Sequence, residues 1–337
     1  MNWILGVIVI LILLYIWSNY RMKKRRKKTL NDLENKWSKQ KNQDEFHFGS
    51  IEKYFKNNNQ KEKAFHIISD RCATDLDVNE IFKIIDRTTS KIGQQFLYYK
   101  LRTFEVQDNL IKFNELTLLF EENESLRLRT QLKLTNLKSD DSYYFENLVT
   151  SEPIEKPKII WLIYTLSILS LSFVILGIFF PIFYIFLIPI LAVNMAFHYK
   201  NKWNVSNYID GVSQLSKALN VSKNIASYEE VKNHFNDTSF IKEIEQIKLK
   251  TAFISFEKSV DNEFATVIWL ISEFIKALFN LEYIIFYSFI DSITRRKKDL
   301  ENMFHFIGEI DSAISIASLK SSDYECNTPL NSDHKLS

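Results

Sequence analysis

The sequence predicts an all-α protein, and three features of its 337 residues support that prediction. Only six Gly and five Pro interrupt the chain, so residues that end helices or form tight turns are scarce. Leu, Lys and Glu, which favour helices, are abundant, and apolar residues recur at helical spacing. Hydrophobic residues make up 46% of the sequence, which excludes a disordered protein. The formal net charge of +2 does not by itself indicate a nucleic-acid-binding protein.

The first element is an apolar run over residues 3–20, followed directly by a basic run over residues 21–28. About 20 residues are needed to cross a hydrocarbon core of about 30 Å, and this run is just long enough. Its positive charges follow the apolar residues, which is the reverse of the order in a signal peptide. We therefore expect residues 1–28 to form a retained transmembrane anchor. Because basic residues stay in the cytoplasm, the N-terminus would lie outside.

Two further apolar runs, residues 159–178 and 181–197, contain no charged residue and are joined by a short turn. Two lysines precede the pair and two follow it, so both ends should be cytoplasmic. We expect a transmembrane hairpin over residues 156–202, with a buried pair of soluble helices as the alternative.

Residues 264–290 are also apolar, but three charged residues, Glu273, Lys276 and Glu282, lie inside this run. Each would cost about 2.5–3.5 kcal/mol at the centre of a membrane helix. The sequence therefore favours a core helix of a soluble part.

Residues 75–104 predict two helices joined by a turn rich in hydroxyl groups. Asp77 and Glu80 have the spacing of a capping box, in which each side chain satisfies a backbone donor at the start of the helix. Ile81, Ile84 and Ile85 would then form one apolar face of the first helix.

The second helix of this stretch should begin after the hydroxyl-rich turn, which suits a helix N-cap. Ile92, Phe96 and Tyr99 follow its expected apolar stripe. Gly93, near the start, would permit the close approach of another element.

Two segments of the sequence resemble the MutS mismatch-repair family. The order Asp-x-Thr-x-Ser, then Ile-Gly and a Leu-rich helix, starting at Asp86, resembles the signature that opens the MutS core domain. Phe304–Leu319 resembles the segment that closes the same domain. The resemblance extends over roughly residues 70–145 and 210–322. It assigns structural signature roles to Asp86, Thr88, Ser90, Gly93, Gly308, Glu309 and Asp311.

The resemblance implies a long-helix bundle of MutS-core type, split by the transmembrane hairpin and preceded by the N-terminal anchor. The sequence resembles the membrane-anchored MutS-like proteins of bacteria. This similarity implies a multi-pass protein of the bacterial inner (cytoplasmic) membrane, with its soluble parts in the cytoplasm. Action on mismatched DNA and dependence on ATP are implied by the family alone.

The C-terminal ATPase of the family is not found in this sequence. Its Gly-x-x-x-x-Gly-Lys-Ser/Thr loop holds nucleotide phosphates, whereas no Gly in this chain is followed by Lys. We therefore expect no catalysis by this chain and no cofactor, since ATP and Mg belong to the missing domain. Residues 323–337 would be a truncated approach to that domain. Residues 29–155 and 203–322 would be the two halves of the helical core.

The expected partners are the lipid bilayer, double-stranded DNA, and an ATPase-bearing subunit or a second copy of the chain. The sequence offers four consecutive basic residues as a candidate contact with the DNA backbone: Arg295, Arg296, Lys297 and Lys298. The two cysteines and six histidines show no spacing typical of a metal site. A membrane scaffold or interaction protein unrelated to DNA repair remains the alternative function.

Overall fold

The computed structural model describes residues 2–58, 64–104, 107–150, 157–235, 237–247 and 273–322. Most of these residues are helical, which confirms the all-α prediction. The sheet within the described residues is one antiparallel pair of two-residue strands, β1 (His66–Ile67) and β2 (Thr103–Phe104).

The helices follow one another in this chain order: α1 (Asn2–Lys36), α2 (Phe48–Ile51), α3 (Lys53–Asn57), α4 (Asp70–Asp75), α5 (Val78–Ile85), α6 (Lys91–Arg102), α7 (Gln107–Glu122), α8 (Glu124–Leu134), α9 (Phe145–Thr150), α10 (Ile160–Phe179), α11 (Leu187–Ile225), α12 (Glu229–His234), α13 (Phe240–Glu245), α14 (Leu281–Arg295) and α15 (Lys297–Lys320). Residues 273–279 are helical as well. Short 3-10 helices cover Gln43–Glu45, Thr135–Leu137, Asp140–Tyr144 and Pro181–Phe186.

The chain forms two compact units, and each is assembled from segments that lie far apart in the sequence. The first unit contains residues 1–52, 60–138 and 308–337. The second contains residues 53–59 and 139–307. The C-terminal half of α15 therefore belongs to the same unit as the N-terminal segments.

Helix α6 runs through the interior of the first unit. Ser90 caps its N-terminus, because the Ser90 side chain accepts a hydrogen bond of 2.9 Å from the backbone N–H of Gly93. The predicted stripe of Ile92, Phe96 and Tyr99 is buried, as expected. The opposite face is buried too, with Gln95 fully enclosed, so α6 contacts neighbouring elements on all sides.

Helix α5 departs from its prediction in two ways. Asp77 is in the left-handed region with φ of 49° and makes no side-chain capping hydrogen bond, so the predicted capping box with Glu80 is wrong. The buried face is formed by Val78 and Phe82, while Ile81 is exposed. The helix begins at Val78, and only the packing of the surrounding elements decides which of its two apolar faces is covered.

The hairpin is only partly the predicted pair of α-helices. Helix α10 matches the first run, and within the described residues it is the one helix long and apolar enough to cross a membrane. The second run begins with the 3-10 helix Pro181–Phe186, and α11 starts only at Leu187. The Phe180-Pro181 dipeptide separates α10 from the 3-10 helix. Proline suits the first position of a helix and disfavours helical backbone in the residue before it.

The predicted core helix over residues 264–290 is interrupted at Asn280, where φ is 49°; residues 264–272 lie outside the described part. The break leaves two carbonyl groups that accept hydrogen bonds of 2.8 Å from side chains of the hairpin, Ser167 to Phe279 and Asn194 to Leu278. A single continuous helix is therefore wrong, because the left-handed backbone at Asn280 ends the first helical segment. Polar side chains of the hairpin then satisfy the carbonyl groups at its end.

Candidate functional site: two buried aspartates in the first unit

The turn between α5 and α6 is built around Asp86, which is fully buried. Its carboxylate accepts hydrogen bonds from the backbone N–H of Thr88 at 2.9 Å and from the Thr88 hydroxyl at 2.6 Å. This pattern is an Asx-turn, in which an aspartate side chain replaces a backbone acceptor and fixes the chain direction. The Asp-x-Thr spacing therefore brings both donors of Thr88, its N–H and its hydroxyl, to the Asp86 carboxylate.

Two side chains from other elements complete the surroundings of Asp86. The Lys41 ammonium group contacts both carboxylate oxygens, at 2.9 and 3.0 Å, and also donates to the Thr88 hydroxyl at 2.9 Å. The Gln94 amide of α6 donates to the second oxygen at 2.7 Å. A buried carboxylate is tolerated when a cation and several donors surround it, and both conditions are met here.

The second aspartate, Asp311 of α15, is also fully buried and holds the C-terminal end of the same turn. One carboxylate oxygen accepts from the Thr89 N–H at 2.8 Å. The other accepts from the Ser90 N–H at 2.7 Å and from the Ser90 hydroxyl at 2.6 Å. Ser90 is thus shared, since its oxygen caps α6 while its proton is donated to α15.

Helix α15 carries a polar stripe towards this turn. Asp311, Ser315 and Ser318 lie at positions i, i+4 and i+7, which share one helix face. The Ser315 hydroxyl accepts from the Arg87 N–H at 2.7 Å and donates to the Ile85 carbonyl at 3.1 Å. The Ser318 hydroxyl accepts from the backbone N–H of Ser38 at 3.0 Å.

Two signature glycines allow α6 and α15 to approach closely. A Cβ atom added at Gly93 would collide with the carboxylate and Cβ of Asp311. A Cβ atom at Gly308 would collide with Phe96. Each glycine therefore faces a side chain of the opposite helix, and the close approach predicted at Gly93 is to the Asp311 side chain. Glu309 is half-buried.

Burial raises the pKa of the Asp311 carboxyl group to about 6, against an ordinary value of 3.8. The hydrogen bonds from Ser90 and Thr89 oppose this shift, and so does the charge of Lys41. Desolvation therefore outweighs the donors at Asp311.

A cavity of about 710 Å³ opens beside the turn, entirely within the first unit. Thr88, Thr89 and Ser90 form one wall, and residues from the end of α1 and from α8 form the others. Six basic residues line it: Lys36, Lys39, Lys41, Arg87, Lys91 and Lys138. Only two acidic residues do so, Asp32 and Glu45, so the lining is strongly positive.

The predicted basic cluster lies in the second unit, where acidic neighbours engage part of it. Arg295 forms an ion pair of 2.7 Å with Asp291, one turn earlier in α14. The Arg296 guanidinium contacts Glu243 at 3.1 Å and donates to Gln246 at 2.6 Å. The contact of this cluster with DNA stays a prediction.

The sequence analysis did not identify four residues of the site: Lys41, Gln94, Ser315 and Ser318. The two serines had a usable signal, because they continue the helical face of Asp311. Lys41 and Gln94 had none, since their role depends on which elements meet at Asp86.

Within the part of the chain that the structure describes, no three His, Cys, Asp or Glu side chains are grouped as metal ligands would be.

The chain was also compared with known proteins. No protein-family model, curated protein or solved structure shows significant similarity to it.

Proposed function

We propose that this chain is a membrane-tethered helical core of MutS type that does not catalyse a reaction by itself. One observation carries the proposal. The two segments that resemble the opening and closing segments of the MutS core are joined, since Asp311 binds Ser90 across 221 residues of sequence. Ser90, Gly93 and Asp311 join α6 to α15, and such a junction suits a role in transmitting movement between helices. An ATPase-bearing subunit, or a second copy of the chain, would supply or receive that movement.

The membrane part of the proposal is supported by the apolar surface of the hairpin in the second unit. Trp161 and Ile168 of α10 are 65% and 66% exposed, and Ile188 of α11 is 69% exposed. Exposed apolar side chains in such number mark a surface that water does not normally cover. The N-terminal anchor of the proposal rests on the sequence of residues 3–20.

The membrane topology can be tested with single cysteines in a background without Cys72 and Cys326. We expect a cysteine at Phe180 to be labelled from outside by a reagent that does not cross membranes. Cysteines at Gln60 and Ser322 should be labelled only after the membrane is opened. External labelling at Ser322 would contradict the topology.

The DNA part is tested with the full-length protein in nanodiscs of neutral lipid, by fluorescence anisotropy with matched and mismatched duplexes. We expect weak binding that is equal for both duplexes and falls with salt, because phosphate contacts carry no sequence information. Changing Arg295, Arg296, Lys297 and Lys298 to Gln should reduce the salt slope by at most about 4, roughly one for each contact. We expect a smaller change in the salt slope, because Arg295 and Arg296 already form ion pairs within the protein.

Two outcomes separate the proposal from its alternative. Absence of duplex binding even at low salt would favour a membrane scaffold unrelated to DNA repair. ATP turnover by the purified protein that disappears on mutation of this chain would contradict the non-catalytic assignment.

A further inference from the structure

The positive cavity of the first unit is not used by the proposed function and offers a binding site of its own. Its volume of about 710 Å³ is within the range of about 300–1,000 Å³ that is typical of small-molecule sites. Basic residues outnumber acidic ones three to one in its lining. The size and charge together indicate a small anionic ligand.

Two of the basic residues contribute little to ligand binding, because the protein already uses them. Lys41 neutralises the buried Asp86. Arg87 donates to the carbonyl groups of Ile84 and Ile85. The remaining charge includes that of Lys36, Lys39 and Lys138, which are exposed and form no ion pair with the described residues.

These three lysines come from two parts of the first unit. Lys36 ends α1 and Lys39 lies just after it, whereas Lys138 follows the 3-10 helix that comes after α8. Helices α1 and α8 pack against each other, and the Arg127 guanidinium of α8 lies 3.6 Å from the ring centroid of Trp37. This packing brings like charges to one opening, which costs energy unless an anion screens them.

A buried acceptor distinguishes between kinds of anion. Gln131 of α8 lines the cavity and is 6% exposed. Among the described residues its side-chain oxygen has no hydrogen-bond partner. A ligand with a hydroxyl or amine group beside its phosphates would satisfy this oxygen while its phosphate oxygens face the lysines. An inorganic phosphate at neutral pH can donate to it only through a P–OH group of the anion itself.

We propose that this cavity binds a small soluble organic phosphate. The phosphate groups would lie against Lys36, Lys39 and Lys138, and a hydroxyl or amine of the organic part would donate to Gln131. Phosphate fits the donors because ammonium groups form strong charge-assisted hydrogen bonds with its oxygens.

A lipid headgroup carries the same phosphate chemistry, and the length of α1 argues against it. From Tyr20, the last residue of the apolar run, to Lys36 the helix rises about 24 Å, at about 1.5 Å per residue. Headgroups extend only about 5–8 Å beyond the hydrocarbon core. This step rests on the membrane anchor of the proposed function, whereas the charge and volume of the cavity do not.

The test uses the full-length protein in neutral-lipid nanodiscs and isothermal titration at low salt without divalent metal. The probes are ADP, fructose 1,6-bisphosphate, inorganic diphosphate, and fructose as the uncharged control. We expect at least one of the two organic phosphates to bind more tightly than diphosphate, and fructose not to bind. No binding of any phosphate would overturn the proposal.

Matched variants locate the site. Replacing Lys36, Lys39 and Lys138 together by Gln should weaken binding about tenfold or more, which corresponds to about 1.4 kcal/mol. The control replaces three exposed lysines outside the cavity, Lys112, Lys217 and Lys232, and should change affinity less than about twofold, because screened surface charges act weakly. An equal loss in both triple variants would reduce the effect to general surface charge and overturn the site.

Two further measurements determine the ligand class. Gln131→Leu should weaken the binding of the organic phosphates more than the binding of diphosphate. An equal effect on both would contradict the role of Gln131. Nanodiscs containing phosphatidylglycerol should bind the soluble probe as neutral ones do. Loss of probe binding in those nanodiscs would assign the phosphate chemistry to a lipid headgroup and overturn the soluble ligand.

Discussion

Replacing Asp311 by Ala tests whether the junction of the two signature segments stabilises the first unit. The change removes the acceptor of two backbone donors, the N–H of half-buried Thr89 and that of buried Ser90. An unsatisfied buried donor costs about 1–3 kcal/mol, so the two together cost at most about 6 kcal/mol. Removing a buried carboxylate returns part of this, because its desolvation no longer opposes folding. We expect a net loss of about 2–4 kcal/mol in the free energy of unfolding.

Hydrogen exchange with mass spectrometry measures this effect locally in the full-length protein. Peptides covering residues 86–104 should exchange at least about tenfold faster in Asp311→Ala, since about 1.4 kcal/mol corresponds to a factor of ten. The matched control is Glu122→Ala, an exposed acid of the same unit, which should change stability by less than about 0.5 kcal/mol. Unchanged exchange in residues 86–104 together with an unchanged melting temperature would refute the reasoning.

Three further predictions concern the same junction. Gly308→Ala should lower the unfolding free energy by about 1–3 kcal/mol, because its Cβ would collide with a ring of α6, whereas Gly49→Ala meets nothing within 4 Å and should be near neutral in thermal melts. Lys41→Met should cost about 2–4 kcal/mol, since it leaves Asp86 with a buried charge and no cation, and an unchanged melting temperature would contradict the ion pair. The raised pKa of Asp311 means that the folded state binds more protons between about pH 4 and 6, so its stabilising contribution is lost as pH rises through that window. The loss is at most about 3 kcal/mol, and Asp311→Asn should show a correspondingly smaller fall in melting temperature from pH 5 to 7.5 than the wild type.

The sequence predicted the helical class and the helix that is central to the site, because both depend on local patterns. The hydroxyl-rich turn and the buried stripe of Ile92 and Phe96 are features of spacing along the chain, so α6 is present much as expected. The capping box at Asp77 failed although its spacing was correct. Local spacing permits such a cap, but the left-handed backbone at Asp77 prevents it.

The partners of the signature residues were decided only by tertiary structure. By itself the sequence determined a helical chain with apolar runs, an Asp-x-Thr turn and two glycines at defined positions. Nothing in a linear pattern places Lys41 on Asp86 or Asp311 on Ser90, since those pairs are 45 and 221 residues apart. The interruption at Asn280 and the positive cavity likewise depend on which helices meet. These hydrogen bonds and charge clusters form where helices pack, and packing brings together residues that lie far apart in the sequence.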